Sequence, residues 1–251
     1  MPDASDASQP TVRSVERALD ILEVLERSTA PLRLVDLAKG TGLHAATVLR
    51  LAGVLQRRGL VEHEAGEFRL GAAALGAAHR YLQSDPLVLR ARPHLQELST
   101  TTGLTSSLYR RLSAERILVA RVDGVDPVRY QLPLGRRLPL HVGAGRAILA
   151  FLPDEEREAL LEVQDDFTTA DGAAVSRADL RASVDAARER GFHVSVGERA
   201  VGVVTISVPV LDAERRVLGA LSALGPDESH SPASLERWAP ELRRAAAAIA
   251  A

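Results

Sequence analysis

The stretch Leu34–Gly59, LVDLAKGTGLHAATVLRLAGVLQRRG, decides the fold of the N-terminal part of the chain. It predicts two short helices joined by a tight turn, with Gly42 in the turn because glycine adopts a positive φ without steric cost. Ala38 is small where the helices approach each other. The apolar residues whose spacing packs two helices at a steep angle are Leu37, Leu43, Val48 and Leu51. The pattern is typical of a helix-turn-helix, whose second helix enters the DNA major groove, although glycine turns also join helices in ordinary all-α domains.

The flanking segments complete a small winged unit. Ser14–Arg27 has apolar residues at helical spacing, with Ser14 predicted as the N-cap, and Pro31 is expected to end this helix. Leu60–Leu70 predicts two short strands around an Ala65-Gly66 turn, which together form a wing. The boundaries predicted for the chain are a disordered tail at 1–10, a winged helix-turn-helix domain at 11–71, a linker helix at 72–85 and a second domain at 86–251.

Length and composition bound the class of protein. A chain of 251 residues suits two domains, and 46% hydrophobic with 25% charged residues is ordinary for a globular protein. No apolar run approaches the roughly 20 residues of a membrane span. The absence of cysteine excludes disulfides, thiolate zinc sites and cysteine nucleophiles. The net charge of −2 gives no general support to DNA binding, so a nucleic-acid surface must be local. We expect a cytoplasmic protein without a membrane partner.

The second domain is predicted to be α+β. Asp85 and Pro86 start a helix that runs towards Gly103 and is interrupted or kinked at Pro93. Strands are predicted at 106–112, 116–122, 128–134, 192–196, 203–210 and 217–223. Helices are predicted at 144–152, 154–161, 177–190 and from Ser231 to the C-terminus. Because strands and helices come in runs and do not alternate, we expect an antiparallel sheet flanked by helices.

No motif indicates catalysis. The seven histidines are scattered without metal-ligand spacing, and there is no G-x-S-x-G elbow. The acids Asp154, Glu155 and Glu156 fall in the first turn of a predicted helix, where they stabilise the helix dipole. Glu198 has no evident catalytic partner. We therefore expect no catalytic residues, no metal and no cofactor, with an enzyme on the second domain as an open alternative.

Several segments resemble the IclR family of bacterial transcriptional regulators, in order and over nearly the whole chain. They are SVERALDIL, LAKGTGL and TVLRL in the first unit, ARPHLQEL and TTG after the linker, and GRRLPLHVGAGRAILAFLP, GERAVGVVTISVPV and LGALSALGP in the second. The resemblance implies that the N-terminal domain binds operator DNA as a dimer. It also implies a GAF-like C-terminal domain that binds a small organic effector and supports homodimer or homotetramer contacts.

The residues predicted to contact DNA lie in three places. Arg50 is the foremost candidate, since a guanidinium can bind guanine or phosphate in a bidentate way. The full predicted set is His44, Ala45, Thr47 and Arg50 in the second helix of the helix-turn-helix, Arg17 and Arg33, and Arg69 in the wing. Arg17 lies in the helix at 14–27 and Arg33 just before the helix-turn-helix, and both are predicted to reach the sugar-phosphate backbone of the DNA. The family usually has Pro-Lys-Ser where this chain has His44, Ala45 and Ala46, so a lysine and a hydroxyl are absent. A ligand-binding module with a degenerate DNA head is therefore the alternative.

The predicted effector site centres on the loop before the helix at 144. Its backbone N–H groups suit a carboxylate, and the family lines its effector site with the Gly-Ala of this loop, here Gly143 and Ala144. The resemblance adds Ser195, Val203, Thr205, Ser222 and Leu224, for which core packing is the alternative when each is taken singly. Strand alternation puts Arg129 beside Gln131 on one face, and the family register puts Arg129 at the pocket. An arginine there favours a small organic acid as effector, with a solvated strand arginine as the alternative.

Overall fold

A computed structural model describes residues 12–125 and 132–251. The chain divides into two compact units, one ending at Tyr81 and the other beginning at Leu82. In the described residues no helix combines the length and apolar character needed to cross a membrane.

The first unit is a winged helix-turn-helix. Its elements are α1 (Arg13–Arg27), β1 (Leu32–Arg33), α2 (Leu34–Thr41), α3 (Ala45–Arg57), β2 (Val61–Glu64) and β3 (Glu67–Leu70). The turn between α2 and α3 is made by Gly42 at φ 66°, as predicted. Leu37, Val48 and Leu51 join the buried core with Ile21 and Phe68. The hairpin β2–β3 turns at Ala65 and Gly66, both at positive φ, and β3 pairs with β1 to complete a three-stranded sheet.

The start of α1 was predicted wrongly. The helix begins at Arg13 with Val12 at its N-cap, so Ser14 lies inside the first turn and does not cap it. The helix also ends at Arg27, before Pro31 is reached. After the wing, α4 (Ala73–Ser84) occupies the predicted linker segment, and none of its residues is buried.

The second unit is built on a six-stranded antiparallel sheet. Its strands are β4 (Thr105–Leu112), β5 (Glu115–Val122), β6 (Arg137–Pro139), β9 (His193–Val196), β10 (Val203–Leu211) and β11 (Val217–Pro226), with a separate hairpin of β7 (Phe167–Thr168) and β8 (Ala174–Val175). The strand order in the sheet is β6-β5-β4-β11-β10-β9. Its helices are α5 (Pro86–Thr102), α6 (Ala144–Leu149), α7 (Asp154–Glu162), α8 (Arg177–Arg190), α9 (Pro232–Glu236) and α10 (Ala239–Ala250).

Successive side chains of each strand point to opposite faces of this sheet. Both faces carry apolar residues, and helices cover each of them to form two cores. Val204, Ile206 and Val208 of β10 join the core formed with α5, α9 and α10. On the opposite face, residues such as Tyr109 and Ala220 pack with the buried residues of α6 and α8. The α+β architecture is therefore confirmed.

Several details differ from the sequence prediction. Of the predicted strand at 128–134, residues 128–131 lie outside the described residues, and 132–134 are not in a strand. The edge strand β6 lies at Arg137–Pro139. The C-terminal helix capped by Ser231 stops at Glu236 and restarts at Ala239, next to Pro240. Asp85 caps α5 as predicted, its carboxylate accepting from Val88 N, and α5 runs through Pro93 without interruption.

Candidate functional site: a DNA-reading helix and an effector cavity

The N-terminal end of α3 is open to solvent. His44 is its N-cap, and His44, Ala45 and Arg50 are exposed while Thr47 is half-buried. The opposite side of the helix is fixed in the core by buried residues such as Val48. Arg50 forms no ion pair with any other residue in the described parts of the chain. This face therefore presents an uncompensated guanidinium beside small side chains, which suits contact with base edges or phosphates.

The other predicted DNA contacts differ in their surroundings. Arg17 on α1 and Arg33 at the start of α2 are both exposed, and the Asp36 carboxylate accepts from the Arg33 backbone N–H at 3.3 Å. Arg69 in the wing is already paired with the wing's own acids: its Nε lies 2.8 Å from Glu62 Oε2 and its second guanidinium nitrogen 3.4 Å from Glu64. A phosphate would have to compete with these carboxylates for Arg69.

In the second unit, a small cavity brings most of the predicted effector residues together. It has a volume of about 20 Å³, room for roughly one water molecule. The register of the sheet brings three of these residues side by side. Thr205 of β10 pairs with Ser195 of β9 on one side and with Leu224 of β11 on the other. The lining residues are Tyr109, Arg116, Gly143, Ala144, Ser195, Glu198, Arg199, Ala200, Val203, Thr205 and Leu224.

The loop that was predicted to hold a ligand carboxylate is occupied by a carboxylate of the chain itself. Gly143 N–H donates to Glu198 Oε2 at 2.7 Å. The Glu198 side chain is only 12% exposed, and its Oε1 lies 3.1 Å from an Arg146 guanidinium nitrogen. Arg146 also donates to His141 O and to Ser183 Oγ, both at 2.9 Å. The sequence prediction missed this role of Glu198.

Electrostatics keep Glu198 ionised. Burial alone would raise the pKa of its carboxyl, but the charge of Arg146 and the hydrogen bond from the Gly143 N–H lower the pKa below its ordinary value of 4.5. His193 Nε2 lies 3.5 Å from Glu198 Oε1, beyond ordinary hydrogen-bond distance. Burial lowers the pKa of His193, against the opposing effect of Glu198, so His193 is neutral at pH 7.

Arg116 is a second cavity residue that the sequence prediction missed. It lies on β5 and is 1% exposed, and its guanidinium faces the Tyr109 ring with 5.2 Å to the centroid. Burial lowers the pKa of Arg116 to about 10, so the group still carries its charge at pH 7. A Cβ at Gly145 would lie 2.4 Å from Leu140 O and 2.5 Å from this guanidinium, so the absence of a side chain at Gly145 makes room for both. No sequence signal pointed to Arg116.

Two predicted effector residues are not in this cavity wall. Ser222 is fully buried on the same sheet face as Leu224, and its Oγ shares a hydrogen bond of 2.8 Å with Ser207 Oγ. Arg129 falls outside the described residues.

Larger depressions lie elsewhere on the second unit. Two surface grooves of about 530 and 630 Å³ share Phe151, Arg188 and Arg215, and neither contains a predicted effector residue. Among residues 12–125 and 132–251, no three His, Asp or Glu side chains come together as a metal site would need.

Comparison with protein families accounts for both units. The model of the IclR helix-turn-helix domain matches residues 14–65, and that of the bacterial transcriptional regulator IclR C-terminal domain matches residues 79–251. The chain belongs to the IclR family. As an IclR-family transcriptional regulator it combines a DNA-binding helix-turn-helix domain with the C-terminal domain characteristic of the family.

Individual relatives agree with this assignment. The chain is 31% identical over 243 residues to the HTH-type transcriptional regulator XynR of Escherichia coli, covering 96% of each. It is 30% identical over 220 residues to the transcriptional repressor IclR of the same organism, covering 86% of this chain and 80% of that one. An IclR homologue from Microbacterium hydrocarbonoxydans, solved in complex with 4-hydroxybenzoate, shares the fold with a TM-score of 0.73 at 24% identity, over 94% of this chain and 97% of that one.

Proposed function

We propose that this IclR-family regulator acts as a homodimer or homotetramer that places two copies of α3 in successive major grooves of a pseudo-palindromic operator. The observation that carries the proposal is the exposed start of α3, where Arg50 has no carboxylate partner in the described chain. The domains we propose are a tail at 1–10, the DNA-binding domain at 11–71, a linker at 72–85 and the effector domain at 86–251. We place the protein in the bacterial cytoplasm and assign it no catalytic role.

The proposed DNA contacts are of two kinds: contacts that read the base sequence and contacts that position the domain on the sugar-phosphate backbone. Arg50 is proposed to contact a guanine edge or a phosphate, while the small Ala45 side chain suits a thymine methyl. His44 and Thr47 flank these positions, and Arg17 and Arg33 are proposed to contact the sugar-phosphate backbone, which positions the domain without specifying sequence. Arg69 contributes less, because Glu62 and Glu64 already neutralise it.

The effector is proposed to be a small organic acid bound in the cavity between the 143–145 loop and strands β9, β10 and β11. Cationic side chains in the wall support this chemistry, as does the 4-hydroxybenzoate bound by the Microbacterium homologue. The proposed contacts are Gly143, Ala144, Ser195, Val203, Thr205, Ser222, Leu224 and Arg129. Because the cavity holds about one water, an organic acid enters only when the lining residues move. The effector then acts through its differential affinity for DNA-competent and DNA-incompetent states.

Selection of genomic fragments by the purified full chain at near-physiological salt tests the DNA proposal. We expect one inverted-repeat motif to be enriched. Arg50→Ala should then weaken binding to that motif by about 1–3 kcal/mol and relax specificity at one position per half-site. Arg27→Ala is the matched control. Arg27 lies on α1, where its guanidinium is 2.8 Å from the Glu23 carboxylate, so its charge is already compensated. Equal affinity and an unchanged motif for Arg50→Ala would remove Arg50 from this role.

One observation favours a second candidate. The start of α3 lacks the lysine and hydroxyl common in the family, and the wing is acidic, so the DNA head has few phosphate contacts. If no fragment is enriched with or without organic acids, the protein is a ligand-binding module with a degenerate head.

A further inference from the structure

Arg116 is a buried cation that forms no ion pair with any carboxylate of the described residues, although Glu198 lines the same cavity and attracts it at longer range. One of its terminal nitrogens donates to Pro139 O on the neighbouring strand β6. Its Nε is buried with no hydrogen-bond partner among the described residues, and no carboxylate of those residues lies within ion-pair distance of the guanidinium. The two other buried arginines of the described chain differ in this respect, since Arg146 pairs with Glu198 and Arg157 with Asp154.

Stability does not explain why an unpaired arginine is buried at this position. A buried charge without a partner costs free energy, and an apolar side chain of similar volume is often neutral or stabilising at such a site. The Tyr109 ring compensates only in part through its face. Residues that break a packing rule in this way are expected at functional sites.

The 143–145 loop places the guanidinium in the wall of the effector cavity. A Cβ at Gly143 would lie 3.6 Å from one terminal nitrogen of Arg116 and 3.9 Å from Ser195 Oγ, while a Cβ at Gly145 would lie 2.5 Å from the other terminal nitrogen. The two glycines therefore admit the guanidinium between the loop and the sheet. The Ser195 and Thr205 side chains line the same small space.

We infer that Arg116 is the anchor for the effector's carboxylate and that the effector is a monocarboxylic acid. A ligand carboxylate supplies the counter-ion and the hydrogen-bond acceptor that this guanidinium lacks, in a site where charge-assisted hydrogen bonds are strong. Glu198 lines the cavity too and is already satisfied by Arg146 and Gly143, so a second carboxylate on the ligand meets like charge. This inference rests on the proposed organic-acid effector.

The test compares acids with their neutral amides on the full chain. Acetate, benzoate and 4-hydroxybenzoate, each with its amide, and succinate as a dicarboxylate are titrated calorimetrically into the wild type, Arg116→Met, Arg116→Lys and Arg111→Met. Arg111 is the matched control because it is an arginine of the same sheet, paired with Glu156 and outside the cavity. Melting temperatures without ligand show whether each variant folds.

We expect the wild type to prefer a monocarboxylate over both its amide and succinate. Arg116→Met should lose about tenfold or more in affinity for the acid and leave that for the amide unchanged. Arg116→Lys should retain part of the preference for the acid over its amide, and Arg111→Met should retain all of it. Without ligand, Arg116→Met should have a melting temperature no lower than that of the wild type.

If Arg116→Met and the wild type prefer the acid over its amide equally, the inference about Arg116 is overturned, while the organic-acid effector still stands. If Arg116→Met does not fold, an Arg116→Lys variant with the full wild-type affinity for the acid and for its amide would overturn it. Failure of every acid to bind the wild type would overturn both this inference and the organic-acid effector.

Discussion

Glu198 is expected to contribute more to the stability of the second unit than any exposed carboxylate, and Glu198→Gln tests this directly. At 3.1 Å, its attraction to Arg146 is about 5 kcal/mol with an effective dielectric constant near 20, before the cost of removing both charges from water is subtracted. Breaking a buried pair by removing one partner typically costs about 3–5 kcal/mol. Glutamine keeps an acceptor for the Gly143 N–H, so we expect a loss of about 2 kcal/mol for Glu198→Gln and about 3–4 kcal/mol for Glu198→Ala.

Urea unfolding followed by tryptophan fluorescence measures this loss. Trp238 is the only tryptophan of the chain and packs against the core of the second unit, so its signal reports that unit. Glu158→Gln is the control: Glu158 contacts Arg157 and Arg181, but its side chain is 38% exposed. A pair as exposed as Glu158–Arg181 is worth about 0–1 kcal/mol, and the buried Arg157 keeps Asp154 as its partner in this variant. A Glu198→Gln loss no larger than that of Glu158→Gln would refute the reasoning.

The pH dependence supplies an independent check. Because the pKa of Glu198 is lower in the folded state than its ordinary 4.5, its ionisation stabilises the fold at every pH above 4.5. This contribution falls as pH drops below 4.5 towards the folded-state pKa. The stability difference between the wild type and Glu198→Gln should therefore be constant between pH 6 and 7 and shrink below pH 4.5. A difference that grows on acidification would contradict the assignment.

Two further predictions concern the turn of the helix-turn-helix and the sheet. Gly42→Ala should destabilise the first unit by about 1–2 kcal/mol. The φ of Gly42 is 66° and a Cβ there would meet no atom within 4 Å, so the cost is backbone strain alone. Amide hydrogen exchange in α2 and α3 should become faster, and an unchanged exchange rate would count against the prediction. Ser207→Ala or Ser222→Ala should each cost about 1–3 kcal/mol by leaving the other buried hydroxyl unpaired. The double variant should lose less than the sum of the two single losses in urea unfolding, whereas strict additivity would show that the two hydroxyls act independently.

The sequence predicted those elements whose stability is local. The turn at Gly42, the Asp85 cap of α5 and the wing hairpin depend on residues that are close in sequence, and all three are confirmed. The errors come from competing local signals. Pro240 has no backbone N–H and is favoured in a first helical turn, so the C-terminal helix restarts beside it. Pro139 disfavours a strand, yet β6 tolerates it because β6 is at the sheet edge.

The cavity was predicted only in part, for a different reason. Strand alternation and the family resemblance were enough to point to residues such as Thr205 and Ser195, which the sheet register brings side by side. The partners of a charge, however, depend on segments distant in sequence. Glu198 reaches a loop 55 positions away. The guanidinium of Arg116 is covered by residues distant in sequence, among them Pro139 of β6 and Gly145. Neither fact is encoded in the local pattern around these residues.

Strand β10 divides its residues between two tasks. Val204, Ile206 and Val208 belong to the hydrophobic core with α5 and α10, while the alternate residues Val203 and Thr205 face the cavity. Mutation at the second set alters what the cavity admits and leaves the core contacts of the first set in place. A lineage of such proteins can therefore change its ligand by single substitutions at Val203 or Thr205, while the core residues of the same strand stay in place.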